Sequence, residues 1–80
     1  MRIPRDLNGA YLAKRLGQFG YTITRQSGSH MRLTRIDVGR EQHLTIPAHK
    51  PLRVGTLRQI LNDVADHTHQ TLENVLEALG

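Results

Sequence analysis

Three short segments of this chain alternate apolar and polar residues with a period of two, and that alternation constrains the fold more than any other feature. They are Tyr21-Thr22-Ile23-Thr24-Arg25, Met31-Arg32-Leu33-Thr34-Arg35 and Gln42-His43-Leu44-Thr45-Ile46. Successive side chains of an extended chain face opposite sides. The pattern therefore predicts three strands that bury Tyr21, Ile23, Met31, Leu33, Leu44 and Ile46 on one face. The other face collects Thr22, Thr24, His30, Arg32, Thr34, His43 and Thr45, a polar surface with cations in it. Gln26-Ser27-Gly28 predicts a three-residue hairpin loop with the glycine in the left-handed position, a register that sets Thr24 opposite His30. A second turn is expected over about Asp37 to Arg40, with Leu33 paired to Leu44 so that the apolar residues share a face. Pro47 cannot donate to a ladder and closes the third strand.

Helical spacing flanks the strands. Asn8 predicts the cap of a first helix, with Leu7 and Leu12 as a hydrophobic staple, Leu12, Leu16 and Phe19 as the inward stripe, and Gly20 as a left-handed end. Thr56-Leu57-Arg58-Gln59 has the spacing of a capping box, and Leu57, Ile60, Leu61 and Val64 follow as an apolar stripe. Thr71 caps a third helix with the stripe Leu72, Val75, Leu76 and Leu79. The order is α-β-β-β-α plus a short C-terminal helix, an α+β fold. A single domain is expected over residues 1–80, with its core over about 7–66 and the extra helix over about 71–79. A chain of 80 residues buries only about 60% of its unfolded surface, so one covered sheet face is as much core as it can build.

Charge is distributed unevenly along the chain. Residues 1–62 carry all eleven Lys and Arg against three acids, a balance of +8, whereas the remainder carries Asp63, Asp66, Glu73 and Glu77 and no Lys or Arg. A basic body of this kind attracts polyanions through counterion release. The absence of Cys removes disulfides, thiolate nucleophiles and thiolate metal sites from consideration. No apolar run approaches the ~18 residues that cross a bilayer, and the N-terminus lacks the apolar stretch of a signal peptide. A cytoplasmic protein is expected.

The residue best equipped for chemistry is His30, in Gly28-Ser29-His30. Imidazole takes or gives a proton near neutral pH, so a histidine among arginines on an open sheet can act on a phosphodiester. Arg32, two residues along the same face, is the natural cation for the phosphate oxygens. His43 and His49 are candidates for a second proton carrier or for RNA contact, and Lys50, Arg53 and Arg58 are candidates for tracking an RNA backbone. Ser29 has no acyl-transfer triad to join and reads as a turn residue that can also touch RNA. His67 and His69 are expected to face solvent. Five histidines without Cys, His-x-x-x-His spacing or a paired carboxylate do not form a zinc pattern, so no metal or other cofactor is expected.

Gly28-Ser29-His30 opening the second strand, and Ile46-Pro47-Ala48-His49-Lys50 followed by Gly55-Thr56-Leu57-Arg58-Gln59-Ile60-Leu61, closely resemble the HicA toxin family of bacterial and archaeal toxin–antitoxin systems. The resemblance covers roughly residues 7 to 64. It implies a fold like the double-stranded RNA-binding domain, an mRNA-cleaving activity with His30 as the catalytic histidine, and a HicB-type antitoxin as partner. The chain departs from the family pattern at Ala48, where a basic residue is usual, and in the added segment Thr71 to Leu79. Two other functions compete. A non-catalytic RNA-binding module would carry a Lys-rich cluster at the start of its last helix, where this chain has only Arg58. A purely protein-binding adaptor has no obvious use for the +8 body.

Overall fold

The computed structural model describes residues 7–48 and 52–79. Its elements are α1 (Gly9–Arg15), a 3-10 turn (Leu16–Phe19), β1 (Thr22–Ser27), β2 (His30–Asp37), β3 (Arg40–Pro47), α2 (Val54–Thr68) and α3 (Leu72–Leu79). This is the expected α-β-β-β-α order with an added C-terminal helix. Asn8 caps α1 by accepting from the Tyr11 backbone N–H at 2.7 Å, and Gly20 ends the 3-10 turn at φ +93. Both follow from the capping chemistry of those residues.

The sheet is antiparallel in the order β1-β2-β3. Leu33 pairs with Leu44 and Met31 with Ile46, so one face is apolar and packs against the helices. Leu12, Leu16, Leu33, Ile46, Leu57, Leu61 and Val64 are fully buried there. Val75 of α3 belongs to the same cluster, with Leu72, Leu76 and Leu79 packed against it. The added helix is thus part of the core, and Thr71 caps it by accepting from the Asn74 N–H at 3.1 Å.

Four local expectations are corrected. The first hairpin turns over two residues, Gly28 and Ser29, and pairs Ser27 with His30. Gly28, at φ +58, occupies the first central position that tight hairpins of this length reserve for glycine. The extra residue is taken up further back, by a bulge between Ile23 and Arg25, so Thr24 does not face His30. Ile23 is 49% exposed rather than buried, because α1 and α2 pack on β3 and leave β1 as an edge with all six residues exposed. Helix α2 begins at Val54 after Arg53, which makes no side-chain cap. Thr56 lies inside the helix because the Arg53 carbonyl already accepts from the Leu57 N–H at 2.9 Å. Finally, His67 is half-buried and its Nδ1 lies 2.7 Å from the Tyr21 hydroxyl, whereas His69 is exposed as expected.

Two backbone details set up the site end of the sheet. A Cβ on Gly9 would lie 1.9 Å from the Pro47 carbonyl oxygen, so only glycine lets α1 approach β3 there. The Ala48 N–H donates to the Ser29 carbonyl at 2.6 Å, and this bond ties the first turn to the end of β3.

Candidate functional site

The uncovered sheet face gathers side chains from all three strands. Register places Thr22 opposite Thr34, Arg25 opposite Arg32 and Ser27 opposite His30. On the other side, Arg32 lies opposite Thr45 and Thr34 opposite His43. His30 and Arg32 are exposed and share this face. Among the described residues, no side chain hydrogen-bonds to the exposed His30 imidazole.

Beyond His30 the face is knitted together. Thr24 Oγ1 lies 2.8 Å from Thr34 Oγ1, and Thr34 Oγ1 lies 3.1 Å from His43 Nδ1. Arg32 Nε–H donates to the same Nδ1 at 3.4 Å, while His43 Nε2 sits 3.3 Å from Glu41 Oε1. The bulge at Thr24 makes the first link: the residue displaced from regular pairing can reach Thr34, and its hydroxyl oxygen also lies 3.4 Å from the Arg32 carbonyl oxygen.

The sequence-predicted residues fall into three groups. His30, Arg32 and His43 do share the open face. His43 stands beside Arg32 rather than His30, because Thr34, its cross-strand partner, is four residues along β2, about 14 Å of extended chain. Ser29 occupies the turn next to His30 and contributes its carbonyl to Ala48. Arg53 is exposed at the start of α2, and Arg58 is exposed on α2 itself, in the helix layer on the other side of the sheet. The structure does not bring Arg58 to the open face. His49 and Lys50 lie outside the described residues. Sequence reasoning missed Glu41 as a partner of His43. The signal was present, since residues two apart on a strand share a face.

Among the described residues, no group of three His, Asp or Glu is arranged to hold a metal ion, and no helix is long and apolar enough to cross a membrane.

Chemically, the face offers an accessible imidazole, an arginine with most of its donors uncommitted and a second imidazole held beside that arginine. A phosphodiester needs these kinds of groups: a proton carrier, and cations fixed where charge accumulates. No curated protein and no solved structure matches the chain. A family model described as the HicA toxin of bacterial toxin–antitoxin systems matches residues 9–65, a span running from the first residue of α1 into the last turns of α2 and containing the whole sheet. The chain therefore belongs to the HicA toxin family, the toxin half of toxin–antitoxin pairs, whose partner is an antitoxin.

Proposed function

We propose that this toxin is a metal-independent endoribonuclease that cleaves mRNA in the cytoplasm, with His30 as its general acid or base. The observation that carries the reading is the placement of an exposed His30 in the same row as Arg32 on a basic sheet face. Cleavage without a metal requires a base to take the 2′-hydroxyl proton and an acid to protonate the departing 5′-oxygen. Between these two transfers the 2′-oxygen bonds to phosphorus and the bond to the 5′-oxygen breaks. His30 supplies one transfer, an effect worth about 10²–10⁴-fold. Arg32 holds the phosphate oxygens as charge builds on them. Ser29, in the turn beside His30, contacts the RNA, and His49, Lys50 and Arg53 are further RNA contacts. Arg58 belongs to a backbone-tracking surface on the helix side.

The same basic face accounts for neutralisation. An acidic HicB-type antitoxin is steered to it and occupies the space that RNA needs. Hydrogen exchange on the purified complex tests this point, with protection expected over β2 and β3. Protection confined to residues 71–80 would refute direct occlusion.

Incubating the protein with a long RNA in EDTA, beside His30→Ala, tests the catalytic reading. Cleavage by the parent and none by the variant is expected. Retention of RNA without cleavage by either would turn the reading to a non-catalytic RNA-binding module. RNA affinity should fall steeply with salt, and each phosphate contact removed should flatten the log–log slope by about 0.7 for single strands.

A further inference from the structure

We propose that Glu41 and His43 are positioning residues that hold the Arg32 guanidinium for the phosphate. This rests on the ribonuclease reading above and adds to it two residues that act through Arg32.

One tautomer of His43 joins the two residues. An arginine Nε–H only donates, so the contact to His43 Nδ1 at 3.4 Å is a hydrogen bond in the tautomer whose Nδ1 carries the lone pair. A neutral imidazole then has its proton on Nε2, and Nε2 faces Glu41 Oε1 at 3.3 Å. The Glu41 carboxylate beside Nε2 electrostatically favours the proton on that nitrogen, and with it the tautomer that lets His43 accept from Arg32.

The pair is braced from the other side. Thr34 O–H donates to the same Nδ1 at 3.1 Å and accepts from the Thr24 hydroxyl at 2.8 Å. Threonines of β1 and β2 thus brace the His43 ring, and His43 of β3 grips Arg32 by its Nε. Among the described residues nothing bonds its two terminal nitrogens. These form the planar fork that pairs with phosphate oxygens. Tying down Nε while leaving the fork open reduces the side-chain freedom lost when the phosphate arrives.

The plain alternative is a surface ion pair between Glu41 and His43, worth little in itself. The two readings separate in a mutant cycle. Asparagine carries its carbonyl oxygen at nearly the position of Nδ1 and can accept from Arg32, whereas alanine cannot. His43→Ala is expected to lower kcat about tenfold with KM little changed, and His43→Asn to restore most of that loss. In an Arg32→Ala background, His43→Ala should cost nothing further. An equal loss in both backgrounds would show that His43 acts independently of Arg32 and would overturn the proposal, as would full activity of His43→Ala.

A second readout keeps this test separate from the ribonuclease reading. In ¹⁵N NMR spectra of the RNA-free protein, His43 should show a protonated Nε2 and a bare Nδ1. The Arg32 Nε–H should be protected from exchange in the parent and in His43→Asn, and unprotected in His43→Ala. If the parent cuts no RNA but these signals hold, the ribonuclease reading fails while the positioning geometry stands. If the Arg32 Nε–H exchanges equally fast in all three proteins, the positioning pair is refuted whatever the activity.

Discussion

Strand β2 carries two arginines three residues apart, on opposite faces and with opposite fates. Arg35 points to the helix side, at the end of the sheet away from His30. Its Nε–H donates to the Phe19 carbonyl at 2.8 Å, and Nη1 donates to Gln42 Oε1 at 2.6 Å and to the His67 carbonyl at 3.2 Å. Asp37 lies 3.9 Å away. The His67 carbonyl belongs to the last turn of α2, where backbone acceptors lack helical partners and a cation is favoured. Arg35 therefore locks the 3-10 turn, β3 and α2 together. Arg32, on the open face, has a single side-chain bond among the described residues, to His43. A charge already used to hold the fold has little left for a ligand; one tethered at a single atom can grip one.

The largest effect that distinguishes the two regions should come from the histidines. His30→Ala is expected to lower cleavage by 10² or more while the melting temperature stays unchanged, since an exposed side chain contributes little to stability. His67→Ala should do the reverse. A folded His30→Ala protein with parental activity would remove the open face from consideration as the catalytic region.

The arginine pair sharpens the contrast. Arg32→Ala should reduce kcat about 10²-fold, the scale seen when one stabilising donor is removed, with stability within about 0.5 kcal/mol of the parent. Arg35→Ala should cost about 2–3 kcal/mol, because it strands the Phe19 carbonyl and the Gln42 amide oxygen and leaves the His67 carbonyl with only the Gln42 Nε2 donor at 3.4 Å, while the folded fraction keeps its kcat. Denaturant melts and saturating-substrate rates on the two variants measure both quantities. If both variants lose activity equally, the division of the strand into a working face and a structural face is wrong.

Much of this division was legible in the sequence. Period-two alternation assigned Arg32 and Leu33 to opposite faces, and the Leu33–Leu44 pairing, the end of β3 at Pro47 and the caps at Asn8, Gly20 and Thr71 followed from local chemistry. Alternation reports faces but not which strand lies at an uncovered edge, so it buried Ile23. Turn chemistry identified Gly28 but not the bulge that absorbs Thr24, because a bulge is decided by pairing with the neighbouring strand. His67 was misjudged because its partner Tyr21 is 46 residues away, and no local spacing reports such a contact. Glu41 was overlooked for a different reason: it reads as an ordinary surface acid until register sets it beside His43 on the open face.

The turn at the structural end contains a strained residue. Val38 and Gly39 both have positive φ, +49 and +77, as a two-residue hairpin of this type requires. A β-branched side chain is disfavoured there, and Val38 is 94% exposed, so no packing offsets the cost. Val38→Asn, which makes the preferred Asn-Gly turn, should stabilise the protein by about 1 kcal/mol. Cleavage should not change, since the turn lies at the far end of β2 from His30. A drop in activity would mean that the tip of this hairpin also contacts RNA.

The last effect belongs to Tyr21 and appears only in alkali. Its hydroxyl lies 2.7 Å from His67 Nδ1 and the residue is 2% exposed. Burial pushes the phenol up from 10.0 to about 12, partly opposed by the charge of Arg35 and reinforced by Asp63. The folded protein thus keeps this proton over a range in which the unfolded chain, with its phenol near 10, has lost it. Where the folded state binds more protons, stability falls as pH rises. The contribution is complete below pH 10 and drains away between about 10 and 12. Tyr21→Phe should be slightly less stable than the parent at neutral pH through the lost hydrogen bond, and its stability should decline less over that alkaline window. Chemical-denaturation curves taken from pH 9 to 12 would show the two proteins converging. Parallel decline would mean that the Tyr21 phenol ionises as freely in the folded protein as in the unfolded chain, and that the structural end of the sheet is wetter than its packing implies.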